Sequence, residues 1–227
     1  MKTIIIIPAR GGSKGLPGKN IKQFNGKPLI SWTIKQSLSS NADKVVVSTD
    51  DKDIKKVSLR CGVEVCDRPK SLALDDSSVY EAIFYTLQYY EARGEVFNNI
   101  VLCEPTKPMR ETKDINTAIE LLNGIEKSIV SVVKAENNNL DNCFVIGKQG
   151  RLVSNDYGLK QRQSISDVYY PEGTIYGSHI NTLREKRSFY HDQTYGYLVG
   201  RHKAIEIDYL SDFIACEALH KYYYLNK

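Results

Sequence analysis

Apolar residues follow two rhythms along this chain. Short β-branched runs appear at Ile4–Ile7, in "KVVVSTD" (Lys44–Asp50), "VEVC" (Val63–Cys66), "NIVLC" (Asn99–Cys103) and "SIVSVV" (Ser128–Val133). Between them the spacing changes to the three-and-four step of a helix face. Leu29, Ile30, Ile34 and Leu38 form one such stripe, and "DKDIKKVSLRCG" forms another that Gly62 closes. Val79, Ile83, Phe84, Leu87 and Tyr90 form a third, with Gly94 near its end, and Thr112–Leu122 a fourth, stopped by Gly124. Strands of this length alternating with helices predict an α/β protein with a doubly wound, mostly parallel sheet over the first 135 residues. Ile4–Ile7 has no polar alternation, so it is expected to be a central strand buried on both faces.

The rhythm breaks at "ENNN" (Glu136–Asn139). Residues 137–197 are rich in turns and tyrosines, with short strands expected at "CFVIG" and "TIYGS". They read as a small lobe inserted into a single domain spanning 1–227. A closing helix is expected over Tyr209–Tyr224, with Leu210, Phe213, Ile214 and Leu219 facing the sheet.

Composition narrows the function classes. A chain of 227 residues, 41% hydrophobic and 26% charged, is that of a soluble globular protein. The net charge of +4 is spread along the chain, which argues against a nucleic-acid partner and suits a small polyanion. No apolar run approaches the roughly 18 residues of a membrane span, and Ile4–Ile7 is too short for a signal-peptide core. The five cysteines are odd in number and lack a C-x-x-C pair, against zinc and a disulfide framework. A cytoplasmic protein with free thiols follows as the expectation. Cys103 closes an apolar run and reads as a half-buried structural thiol rather than a nucleophile. His179 and His191 lack a histidine or carboxylate at metal spacing and read as surface or interface residues, and "YYY" (Tyr222–Tyr224) as packing or dimer contact.

The chemistry concentrates in "IPARGGSKGLPGKN" (Ile7–Asn20), directly after the first strand. In open α/β sheets ligands bind beyond the carboxyl ends of strands. Glycines let backbone N–H groups approach a ligand closely, and Arg10, Lys14 and Lys19 add full charges. The loop therefore reads as a phosphate cradle, the alternative being a solvated basic loop. It is not a Walker loop, since Ser13 stands where that motif needs glycine and Asn20 where it needs serine or threonine. The dinucleotide fingerprint is also absent. The "NGKP" turn (Asn25–Pro28) delays the first helix.

Taken with six later blocks, this loop resembles the signature of the acylneuraminate cytidylyltransferases. The blocks are "STDD" (Ser48–Asp51), "RPKSLALDDSS" (Arg68–Ser78), "EPTKPMR" (Glu104–Arg110), "QRQ" (Gln161–Gln163), "PEGTIY" (Pro171–Tyr176) and "IEID" (Ile205–Asp208). The resemblance implies an enzyme that couples CTP to a nine-carbon or related sugar acid and releases pyrophosphate. It also implies a nucleotidyltransferase sheet whose small lobe pairs two subunits as a homodimer.

On this resemblance Arg10, Lys14, Lys19 and Asp208 carry the catalysis. Ala9, Gly11, Gly12, Ser13, Asn20 and Arg68 join the three cations around the nucleotide. Asp75, Ser77 and Ser78 face the base, although Asp and Ser there also suit a helix N-cap. Glu104, Thr106, Arg110, Arg162, Tyr170 and Glu172 are expected around the sugar acid. Mg²⁺ is the implied cofactor, held by Asp208 and Glu206, whose two-residue spacing on a strand would set both carboxylates on one face; the bare alternative is an amphipathic strand with one solvated face. The chain departs from the family at Glu104, Lys107, Tyr170, Glu172 and Glu206, where Gln, Ser, Arg, Asn and Asp are commoner. Those departures leave open another sugar or base, or an impaired nucleotide-binding homologue.

Overall fold

Ile4, Ile5, Ile6 and Ile7 are fully buried in the strand β1 (Thr3–Pro8), at the middle of the sheet. The computed structural model describes residues 1–124, 127–135, 145–146, 152–153 and 167–225. After β1 a short hairpin, β2 (Gln23–Phe24) and β3 (Lys27–Pro28), turns at Asn25 and Gly26, whose φ angles of 47° and 80° suit an Asn-Gly pair. Then follow α1 (Leu29–Leu38), β4 (Lys44–Thr49), α2 (Lys52–Arg60), β5 (Glu64–Asp67), α3 (Val79–Glu91), β6 (Asn99–Leu102), α4 (Thr112–Asn123) and β7 (Ser128–Lys134). β8 (Val145–Ile146) and β9 (Leu152–Val153) pair with each other. The chain closes with β10 (Tyr169–His179), α5 (Ile180–Lys186), β11 (Thr194–Leu198) and α6 (Leu210–His220).

Seven strands form one sheet in the order β11-β7-β10-β6-β1-β4-β5. β1 pairs in parallel with β4 and β6, β4 with β5, and β11 with β7, while β10 runs antiparallel between β6 and β7. The expected doubly wound, mostly parallel sheet is present. Alternate isoleucines of β1 feed its two faces. Ile5 and Ile7 pack with Ile30, Ile34, Ile54 and Ile115 of α1, α2 and α4, and Ile4 and Ile6 with Ile83, Leu87 and Leu183 of α3 and α5.

Two expectations need correction. "TIYGS" does not belong to a separate lobe: it lies in β10, between β6 and β7, and β11 forms the sheet edge. Of residues 137–197, the stretch from Tyr169 onward therefore contributes two strands to the main sheet, and residues 136–144, 147–151 and 154–166 lie outside the described residues. β10 does not look like a core strand in sequence because its buried positions include Glu172, Thr174 and Ser178. Glu172 accepts the Thr174 N–H and hydroxyl within the strand, and the remaining polar groups meet across the ladder. Ser131 Oγ accepts the Ile175 N–H at 2.8 Å and donates to the Ile175 carbonyl at 3.1 Å, and the Ser128 and Ser178 hydroxyls meet at 2.8 Å.

The closing helix also presents another face. Phe213, Cys216 and His220 are buried, whereas Leu210 and Ile214 are 52% and 61% exposed. Its partner is not the sheet but a third cluster made by Phe24, Leu29, Met109 and Ile207.

Candidate active site

The carboxyl ends of β1, β4, β5 and β6 deliver the loop from Ala9, Asp50, Arg68 and the Glu104–Thr106 turn to one side of the sheet. Between β1 and β6 the winding reverses direction, which opens a crevice there. A cavity of about 450 Å³ occupies this place. Its lining combines the cations Arg10, Lys14, Lys19 and Arg68 with the carboxylates Glu104, Glu206 and Asp208. Asp75, Ser77 and Ser78 also line it.

The cations already have partners. Arg10 Nη1 donates to the Leu74 carbonyl and to Asp75 Oδ1, both at 3.0 Å, and Lys14 Nζ lies 2.8 Å from Asp75 Oδ2. The Lys14 ammonium, helped by Arg10, holds the Asp75 carboxyl below its usual range. Lys19 Nζ donates to the Ile207 carbonyl at 2.8 Å and to Asp208 Oδ1 at 2.9 Å. Arg68 is 8% exposed, and its Nε has no hydrogen-bond partner among the described residues. Burial lowers the guanidinium's affinity for its proton, with the Asp50 carboxylate 3.9 Å away opposing that. An under-satisfied buried guanidinium that lines a cavity is suited to an incoming anion.

Several loop residues act differently from the sequence expectation. Ala9 is buried and its N–H donates to the Ser48 carbonyl at 2.9 Å, so it joins β1 to β4 rather than facing the cavity. The Gly11 N–H is engaged by Asp50 Oδ1 at 3.1 Å and the Ser13 N–H by the Gly11 carbonyl at 3.1 Å, so these two donors do not point at a ligand. Gly12 is exposed, outside the cavity lining. Asn20 lines the cavity and donates its amide to the Arg10 carbonyl at 3.1 Å. Gly15 is required sterically: a Cβ there would stand 2.5 Å from the Asp208 carbonyl oxygen. Ser77 donates to the Ser71 carbonyl, and Ser78 caps α3 by accepting the Tyr80 N–H, so the cap reading holds beside cavity exposure.

Glu206 and Asp208 belong to a strap, residues 204–208, that is not paired into the sheet, correcting the strand expected for "IEID". Its alternation survives: Ile207 is buried and donates its N–H to the Thr106 carbonyl at 3.1 Å, while Glu206 and Asp208 face the cavity. Lys203, just before the strap, is bound by Glu111 Oε2 at 2.6 Å and by Asp114 Oδ2 at 2.7 Å. Just after it, Asp212 accepts the Asp208 and Tyr209 N–H groups. Burial, then the neighbouring Glu206 charge, pushes the Glu104 carboxyl up to about 7.

Of the six residues expected around a sugar acid, Glu104 and Thr106 line the cavity. Arg110 does not. It is 1% exposed and donates to the Thr174 carbonyl at 2.6 Å, the Glu104 carbonyl at 3.0 Å and Thr33 Oγ1 at 3.3 Å, bracing the turn from behind. Glu172 also turns inward, accepting the Thr174 N–H at 2.9 Å and its hydroxyl at 2.7 Å. Lys107 Nζ, buried, lies 3.7 Å from both Glu172 Oε2 and Glu206 Oε2. Tyr170 is exposed on β10 away from the cavity, and Arg162 lies outside the described residues. Sequence reasoning gave no role to Asp50, which it held only within the "STDD" block at a strand terminus, or to Tyr209, which has no signal beyond adjacency to Asp208.

The sequence profile of the cytidylyltransferase family matches residues 4–206. The chain belongs to the cytidylyltransferase family. It is similar to the CMP-N,N'-diacetyllegionaminic acid synthase of Legionella pneumophila, at 34% identity over 96% of each chain. It is also similar to the N-acylneuraminate cytidylyltransferase of Streptococcus agalactiae, at 33% identity over 94% of this chain and 52% of that protein, so the chain spans about half of that relative. Among solved structures, a CMP:2-keto-3-deoxy-manno-octonic acid synthetase complexed with CTP shares the fold, with a TM-score of 0.71 at 16% identity over 98% and 99% of the two chains.

In this cytidylyltransferase the remaining reactive side chains have structural partners. His179 Nε2 lies 2.7 Å from the Leu122 carbonyl and His191 Nε2 2.8 Å from Ser128 Oγ. Cys103 is buried, and burial pushes its thiol up, away from the thiolate a nucleophile needs.

Proposed function

We propose that this cytidylyltransferase couples CTP to a nonulosonic sugar acid of the sialic, legionaminic or pseudaminic type, giving a CMP-sugar and pyrophosphate. One observation carries the reading: a single cavity is lined by Arg10, Lys14, Lys19 and Arg68 together with Glu104, Glu206 and Asp208. The cations suit a triphosphate. In the reaction a hydroxyl oxygen of the acceptor bonds to the α-phosphorus, the α–β phosphoanhydride bond breaks with its electron pair leaving on pyrophosphate, and the hydroxyl proton passes to solvent. Charge builds on the phosphate oxygens, so placement and electrostatic stabilisation provide most of the rate.

Asp208 and Glu206 are the residues that would hold Mg²⁺. Two carboxylates open to a cavity that also carries cations for phosphate fit that ion, which takes few carboxylates together with phosphate oxygens and water. Among the described residues no group of three or more His, Cys, Asp or Glu stands together as a metal cage. The ion would neutralise phosphate charge. Lys19 holds Asp208 in position beforehand. Glu104 and Thr106 meet the acceptor, while Arg110 and Glu172 shape its wall from behind. The names of the relatives support the acceptor class. A homodimer and a cytoplasmic location with CTP as donor complete the proposal.

The test is pyrophosphate release from each nucleoside triphosphate with Mg²⁺ and a panel of sugar acids. Release only with CTP plus a nonulosonic acid is expected. Binding of CTP without turnover on any acid contradicts the proposal.

A further inference from the structure

The peptide unit between Arg10 and Gly11 is gripped at both of its polar ends. Asn20 Nδ2 donates to the Arg10 carbonyl at 3.1 Å, and Asp50 Oδ1 accepts the Gly11 N–H at 3.1 Å. Asn20 is 6% exposed and the Asp50 side chain 17%, so both bonds are partly shielded from bulk water. The fit is close: a Cβ on Gly11 would stand 2.6 Å from Asp51 Oδ2. That carboxylate cannot retreat cheaply, because Asp51 caps α2 through the N–H groups of Asp53 and Ile54.

β4 lies between β1 and β5, so the turn after it touches the loops that leave both neighbours. Ser48 and Thr49 accept the N–H groups of Ala9 and Arg68 at 2.9 and 2.8 Å. Asp50 extends that bracing to side chains, with Gly11 on one side and Arg68 Nη2 at 3.9 Å on the other. The hydrogen bond at 3.1 Å is the closer and better directed contact, and it fixes a peptide plane from which the Arg10 side chain departs.

We propose that Asp50 is a positioning residue of the transfer reaction: by holding the Gly11 N–H it fixes the Arg10–Gly11 peptide and aims the loop's cations at the triphosphate. It does not touch the nucleotide. The inference rests on the nucleotide reading above for its consequence, and on the clamp alone for its structure.

Two measurements separate these. Backbone amide exchange reads the clamp without any ligand: Gly11 exchange is expected to accelerate at least tenfold in Asp50→Ala and to stay near wild type in Asp50→Asn, whose amide oxygen still accepts the bond. Titration with CTP and with inorganic pyrophosphate reads the consequence. Asp50→Ala is expected to weaken both ligands on the order of tenfold, the scale of one hydrogen bond to a charged acceptor, with kcat reduced and the acceptor KM unchanged. Asp50→Asn should recover to within about twofold. Asp50→Ser, polar but too short to reach Gly11, should behave as alanine, which guards against a folding defect peculiar to Asp50→Ala. Equal weakening in Asp50→Asn and Asp50→Ala would overturn the proposal, because charge beside Arg68 would then be the cause. Wild-type affinity in Asp50→Ala would overturn it as well. Loss of Gly11 protection alongside a wild type that binds neither ligand would instead remove the nucleotide reading, and with it the role assigned to Asp50.

Discussion

Lys19 and Asp208, 189 residues apart in the chain, meet at 2.9 Å in the lining of the cavity. The lysine side chain is 14% exposed and the aspartate 57%. The contact therefore joins a well-held cation of the first loop to a carboxylate that remains open to a ligand. An ion pair this exposed contributes only about 0–1 kcal/mol to stability. Its value lies in placement. Asp208→Ala should leave the melting temperature within a few degrees of wild type while lowering turnover by roughly a hundredfold or more, the scale seen for a lost electrostatic contact in a transition state. Steady-state kinetics beside thermal unfolding checks both halves. Full activity in that variant removes Asp208 from the site.

Asp75 stands where phosphate oxygens are expected, bound to both Arg10 and Lys14. Binding of a triphosphate then exchanges one anion for another, and Asp75→Asn should remove the competitor. Calorimetric titration with pyrophosphate at low salt is expected to show roughly threefold tighter binding, and less of a gain as salt screens the exposed pairs. Unchanged pyrophosphate binding with weaker CTP binding would return Asp75 to the role of base contact.

Glu104 makes stability depend on pH. Its folded carboxyl titrates at about 7 instead of the ordinary 4.5, because burial and the Glu206 charge disfavour ionisation. The folded protein thus holds a proton that the unfolded chain releases. This stabilisation is present below the ordinary value and fades as pH rises through about 7, by the order of 2–3 kcal/mol. Glu104→Gln should flatten that decline, gaining on wild type between pH 5 and pH 8. Parallel pH profiles of urea unfolding for the two proteins measure it.

Lys107 and Glu172 are a buried ion pair, with side chains 1% and 0% exposed. Lys107→Met strands the Glu172 carboxylate in the interior, and a loss of about 3–5 kcal/mol is expected. Lys107→Met with Glu172→Gln should regain much of it, since both charges are then gone. Urea unfolding of the two single variants and the double variant gives the coupling directly.

The parts that could be read from sequence are those where one physical signal dominates. The β-branched runs of β1 and β4 and the capped stripes of α2 and α4 announce themselves, because burial on the sheet needs apolar surface and helices need three-and-four spacing. β10 hid because its interior is polar: Glu172 and Thr174 satisfy each other within the strand, and Ser178 meets Ser128 across the ladder. α6 hid its register because its contact is a distant hairpin, so Phe213, Cys216 and His220 turn inward while Leu210 and Ile214 do not. The same distinction divides the site. That Arg10, Lys14, Lys19, Glu206 and Asp208 gather at one cavity was legible, because cations among glycines and paired carboxylates have few structural uses. Arg110 and Glu172, expected around the acceptor, are instead buried outside the cavity lining. A charged side chain's direction is set by what closes around it in three dimensions, here the Thr174 backbone and Lys107.

The cradle formed by the first loop and the acidic strap is tested most directly by a crystal structure with CTP and Mg²⁺. The expected result has the triphosphate contacting Arg10, Lys14 and Lys19, Asp75 displaced from the first two, and Asp208 beside the phosphates. Nucleotide bound at another face, with Arg10 and Lys14 still paired to Asp75, would contradict the account.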